Sequence, residues 1–153
     1  MRHYFSTHLL WMAFHASGRA GRIEDDHSGE PTFDIEHHSY VLSAIASAAG
    51  FLEATINEFF QDARDGHGLT SDGYLAPMQA DAITAMAATW KGTDQGVKLS
   101  ALEKWQLLLI FSGREPLDRG AALYQNAQLV TRLRNTILHF RPESVAFDEV
   151  SPA

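Results

Sequence analysis

The sequence predicts an all-α fold, a four- to five-helix bundle with a long central helix packed on the C-terminal one. Three observations predict it. Apolar residues recur at 3- and 4-residue spacing in five segments. Glycines, prolines and one capping box separate those segments. No stretch alternates apolar and polar residues as a half-buried strand would.

Taken in order, residues 3–20 read as a first helix with Phe5, Leu9, Met12, Ala16 and Ala20 on one side, weakened at its end by Gly18 and Gly21. Residues 24–35 are a polar, turn-rich connector. The second helix runs from about Glu36 to Arg64. Val41, Ile45, Ala48, Leu52, Ile56 and Phe59 form its seam, and Ala44, Ala46, Ala49, Phe51 and Phe60 make most other sides apolar too. A helix of that kind is central to its bundle. Gly66 and Gly68 end it. After a loop over residues 65–76, Pro77 suits a helix first turn, and the third helix continues to about Trp90 with Gly92 as its stop. Ser100 and Glu103 make a capping box ahead of a fourth helix bearing Leu102, Trp105, Leu108, Leu109 and Phe111, which stops at Gly113. The last helix spans about Arg119 to Phe140. Leu123, Val130, Leu133, Ile137 and Phe140 form its expected core seam, and Pro142 closes it.

A chain of 153 residues is most simply one domain, 1–153. It has no cysteine, which excludes a disulfide framework, a thiolate metal site and a cysteine nucleophile. No apolar run approaches the length of a membrane span, so no membrane association is expected. Leu9–Phe14 is flanked by His8 and His15 and no cleavage-like signal follows, so a cytoplasmic location is expected.

The net charge of −7 argues against a general nucleic-acid binder, but the charge is uneven. Residues 23–38 hold Glu24, Asp25, Asp26, Glu30, Asp34 and Glu36 with no Lys or Arg. Residues 119–141 hold Arg119, Arg132, Arg134 and Arg141 with no acid. A local basic strip of this kind can take a phosphate.

Two constellations carry candidate chemistry. On the last helix, Asn135 and His139 stand on one line at i,i+4, roughly opposite Val130 and Ile137, with Arg134 about 140° from His139. The same residue types would also make an ordinary solvated face. On the second helix, Glu53 and Asn57 interrupt the apolar pattern at i,i+4. They are either a buried pair that fixes helix register or a support for the Arg–His helix, with Glu53 pairing Arg134, since a buried carboxylate needs a partner. His37 and His38, near Asp34 and Glu36, diverge by about 100° on a helix and lack metalloprotease spacing, so no metal site is expected. Trp11, Trp90, Trp105 and the nine phenylalanines fit a core, with a base-stacking platform as the alternative.

Ala48–Phe60 on the second helix and Leu133–Glu143 on the last together resemble the HEPN superfamily, loosely over residues 36–143, with 1–22 as a further N-terminal helix. Arg134-Asn135, followed by His139, is similar to that superfamily's Arg-x4–6-His motif. The resemblance implies a helical bundle that forms a homodimer and sets two motifs around a shared cleft. In active members that cleft is an endoribonuclease site that needs neither metal nor other cofactor. It implies His139 as general acid/base, Arg134 as phosphate ligand and Asn135 as orienter, with Glu53 and Asn57 behind them and Arg132 and Arg141 at the periphery as RNA contacts. A histidine titrating near neutrality can move a ribose or leaving-group proton, and an arginine fork suits phosphate. The implied function is RNA cleavage leaving 2′,3′-cyclic phosphate ends, by a toxin, defence or stress effector with a possible antitoxin or operon partner. Other HEPN domains only bind nucleotide or RNA, or only dimerise. Arg141 stands where the nucleotidyltransferase-paired toxins carry a Tyr, so the resemblance does not extend to adenylylation there.

Overall fold

The structure, a computed structural model, describes residues 3–27, 34–69, 73–94 and 98–140. These residues form five helices: α1 Ser6–Asp26, α2 Ile35–Asp65, α3 Ala80–Asp94, α4 Ala101–Phe111 and α5 Ala122–Leu138. There is no strand among the described residues. The all-α bundle expected from periodicity is therefore observed, and α2 is its hub, since each of the other four helices packs on it.

Local chemistry sets the ends of α2. Asp34 caps its start, its carboxylate accepting from the N–H groups of Glu36 at 2.7 Å and His37 at 3.2 Å. Gly66 closes it with φ of 70°, a left-handed conformation that glycine adopts without a Cβ clash. Between these ends α2 is long and apolar enough to cross a membrane, with mean hydropathy 1.4 over an 18-residue window. Ser39, Ser43, Ser47 and Glu53 keep it from being one unbroken apolar run, and the core helix of a bundle meets the same measure of length and composition. The alanines and Gly50 let neighbours approach. A Cβ added at Gly50 would lie 3.4 Å from the Leu9 methyl groups of α1.

The core sits at the C-terminal half of α2. Ile56, Phe60 and Ala63 pack with Leu75 from the α2–α3 loop, Met86 of α3 and Leu108 of α4. Around them lie Phe59, Ile83, Trp90 and Trp105. Trp90 and Trp105 are thus half-buried core partners, whereas Trp11 is 64% exposed on α1 and stacks on His15. The capping box of α4 forms in both directions, Ser100 Oγ accepting from the Glu103 N–H and Glu103 accepting from the Ser100 N–H.

Three expectations are corrected. Helix α1 runs through Gly18 and Gly21 to Asp26 and buries Ser6, Ala16 and Ala20, leaving Phe5 and Met12 exposed. Its line of close contact is made of small residues, so the two larger side chains turn outward. Helix α3 begins at Ala80 rather than Pro77, because the chain between Gly73 and Met78 is spent on turns, with Ala76 N–H to Gly73 O and Met78 N–H to Leu75 O. It also continues past Gly92.

The third correction concerns α5. Its buried residue is Tyr124, and its half-buried residues include Ala127, Gln128, Thr131 and Arg134. The expected seam is rotated about 100° away from this face: Val130 and Ile137 are half-buried, while Leu123, Leu133 and Phe140 are exposed. Small residues and one ion pair decide which face turns in. Ala127 and Thr131 permit close approach, and Arg134 finds a carboxylate on α2. Val130 is left as one wall of an apolar groove of about 370 Å³, whose other wall is Leu10, Ala13 and Phe14 of α1 and whose floor is Ala44, Ile45, Ala48 and Phe51 of α2. Pro142, the expected helix stop, lies outside the described residues.

Candidate functional site

Glu53, Asn57 and Gln61 occupy successive turns of α2, each one i+4 from the last. Each meets a different helix. Arg134 of α5 donates to Glu53 Oε2 at 2.6 Å. Lys104 of α4 donates to Asn57 Oδ1 at 2.8 Å. Trp90 of α3 donates from Nε1 to Gln61 Oε1 at 2.5 Å. This polar ladder on an otherwise apolar helix fixes the register of three neighbours at once. About 100° round the helix from Asn57, Glu58 accepts from the Ser6 hydroxyl at 2.5 Å and from the Phe5 N–H at 2.8 Å, which ties the start of α1 to the same helix.

The Glu53–Arg134 pair is partly shielded, with side-chain exposures of 47% and 24%. Lys104 is deeper, at 8% exposure, and its ammonium also lies 5.1 Å from the centre of the Trp90 ring. Burial holds its amine below the usual lysine range, and the Glu53 charge opposes that effect. Sequence reasoning found Glu53 and Asn57 but not Lys104. The signal was its 3- and 4-residue spacing from Ala101 and Leu108, which places it on the inward side of a short apolar helix.

Asn135 and His139 are both exposed, on the opposite flank of α5 from its apolar seam. His139 ends the helix with φ −113° and ψ 24°, and its N–H donates to the Asn135 carbonyl at 3.0 Å. The imidazole makes no hydrogen bond or ion pair among the described residues. The chain therefore joins Arg134 to Glu53, and no hydrogen bond among the described residues joins Arg134 to His139. The guanidinium points into the α2 contact and the imidazole points to solvent. Arg132 is exposed one turn before Thr136, whose hydroxyl donates to its carbonyl at 3.2 Å. Arg141 lies outside the described residues.

His37 and His38 have local partners. His37 Nε2 lies 2.7 Å from Glu24 Oε1, tying the end of α1 to the start of α2. His38 Nδ1 is 2.8 Å from the Asp34 carbonyl oxygen, and the two rings stand at 87° to each other. Among the described residues no three His, Asp or Glu side chains converge as metal ligands would. A further cluster escaped sequence reasoning. Asp62, fully buried, accepts hydrogen bonds from the Tyr4 and Tyr74 hydroxyls and so anchors the N-terminal segment and the α2–α3 loop.

This chain matches no family model, no curated protein and no solved structure.

Proposed function

We propose that this protein is a HEPN-type, metal-independent endoribonuclease that acts as a homodimer, with His139, Arg134 and Asn135 forming the reactive group. The observation that carries this reading is the 2.6 Å bond from Arg134 to Glu53. It links the two helices on which the resemblance rests, and it gives the motif arginine a defined position. In the proposed reaction the His139 imidazole takes the proton of a ribose 2′-OH or supplies one to the departing 5′-oxygen. Arg134 neutralises charge that builds on the phosphate, and Asn135, one turn before His139, holds the imidazole or a phosphate oxygen. Arg132 and Arg141 add charge along the path of the strand.

A second copy supplies what one protomer lacks. The outer face of α5 carries Leu129 at 52% exposure and Leu133 at 39%, and His139 stands about 80° round the helix from Leu129. A partner covering those leucines would bring a second His139 to the same rim. The test is incubation of the purified protein with a mixed RNA pool in excess EDTA beside His139→Ala. Cleavage by the wild type alone supports the reading.

One observation favours a second reading, a non-catalytic RNA- or nucleotide-binding module. Glu53 neutralises Arg134, and no side chain among the described residues orients His139. RNA binding without cleavage, retained by His139→Ala, selects that reading over the first.

A further inference from the structure

Among the described residues, Glu53 is the one carboxylate of a cluster that holds two cations. Arg134 occupies its Oε2. Asn57 lies a single helical turn away on the same face of α2, and its Oδ1 receives the Lys104 ammonium at 2.8 Å. Lys104 thus sits one turn along the same face from Glu53, and the Glu53 charge already acts on its ammonium. Its present partners, an amide oxygen and the Trp90 ring face, are both uncharged. A buried ammonium without a carboxylate is costly, so the cluster is one negative charge short. Glu53 has room to move, being about half exposed, and its other oxygen, Oε1, faces no donor among the described residues.

We propose that Glu53 is an exchangeable counter-ion: in the empty protein it closes Arg134, and when a phosphodiester docks on Arg134 it swings to Lys104. Lys104 is then a positioning residue. It touches no substrate and sets how readily Arg134 is released. The exchange conserves charge at each step. The incoming phosphate replaces the carboxylate at Arg134, and the displaced carboxylate supplies the missing charge beside Lys104. No proton or covalent bond changes hands. The inference rests on the reading above that Arg134 contacts phosphate.

The probe is a 2′-O-methyl RNA oligonucleotide, which lacks the internal nucleophile and so reports binding without cleavage. Fluorescence anisotropy at fixed salt compares wild type, Glu53→Gln, Lys104→Met and the double variant, with Arg134→Ala as reference. Glu53→Gln is expected to tighten binding by about tenfold, and Lys104→Met to weaken it by about tenfold, the size of a typical coupled pair. In the Glu53→Gln background Lys104→Met should then have less than about a twofold effect, because Lys104 acts only through Glu53. A purely structural lysine would weaken binding equally in both backgrounds, and that result overturns the exchange. If Lys104→Met does not fold, Glu53→Gln alone decides, because unchanged or weaker binding by it also overturns the exchange. Equal binding by wild type and Arg134→Ala, or no binding by either, overturns the phosphate role of Arg134 and the exchange together. Weakening by Arg134→Ala without the Glu53 and Lys104 signature overturns the exchange alone.

Discussion

Arg134 and Glu53 show how a residue pair becomes legible before its geometry is known. Glu53 breaks an apolar helix and so demands a partner, and the only basic residues near the expected packing face of α5 were its arginines. The 2.6 Å bond meets that demand. Charge removal by Glu53→Gln should lower stability by about 1 kcal/mol, a modest figure because both groups are partly solvated. Chemical denaturation measures it, and unchanged stability would mean that the pair contributes nothing to the fold. Lys104 was not legible in the same way. A lysine four residues after a helix N-cap is usually solvent-facing, and its spacing from Ala101 and Leu108 marks the inward side of α4 without naming a partner for its charge. His139 is exposed at the C-cap of α5, and sequence spacing alone does not say that its ring faces solvent.

At the scale of the elements, caps and glycines were legible and helix orientation was not. The Ser100–Glu103 box starts α4 where the residues say it should, because the hydrogen bonds involved are local to one turn. Ser100→Ala should cost about 1 kcal/mol. The same box makes an acid-side prediction. Hydrogen bonds from the Ser100 N–H and then its hydroxyl lower the Glu103 carboxyl below its ordinary 4.5. The folded protein therefore binds that proton less readily than the unfolded chain. The contribution is fully present above 4.5 and is lost as pH falls below it. Glu103→Gln should flatten that part of the stability–pH curve, and urea midpoints between neutral pH and about 3 would show it. Helix α5 was misoriented for a different reason. Periodicity finds the apolar stripe, but a stripe faces the core only if nothing else is holding the helix. Here Arg134, Ala127 and Thr131 turn a more polar face inward, and the apolar stripe becomes a flank.

At the scale of the whole molecule, several large apolar side chains stay exposed among the described residues. Phe14 of α1, which lines the groove over α2, is 73% exposed, and Leu123 and Leu129 of α5 are exposed as well; exposed apolar side chains of this kind are what the proposed dimer would cover. The proposed dimer should be observed by sedimentation at micromolar concentration. Leu129→Glu combined with Leu133→Glu should give a helical monomer that no longer cleaves RNA, since both side chains are exposed in the single chain and lose little there. A wild-type protein that stays monomeric would contradict the dimer. The all-α bundle and its central helix followed from periodicity, but the inward face of α5 did not, because an apolar stripe has the same pattern whether it is buried within the chain or left on its surface.

The most direct measurement is the chemistry of the RNA ends produced in excess EDTA. The account predicts 2′,3′-cyclic phosphate and 5′-hydroxyl ends from the wild type, and no product from His139→Ala or Arg134→Ala proteins that remain folded. Cleavage that survives both substitutions, or that leaves 3′-hydroxyl ends, would contradict it.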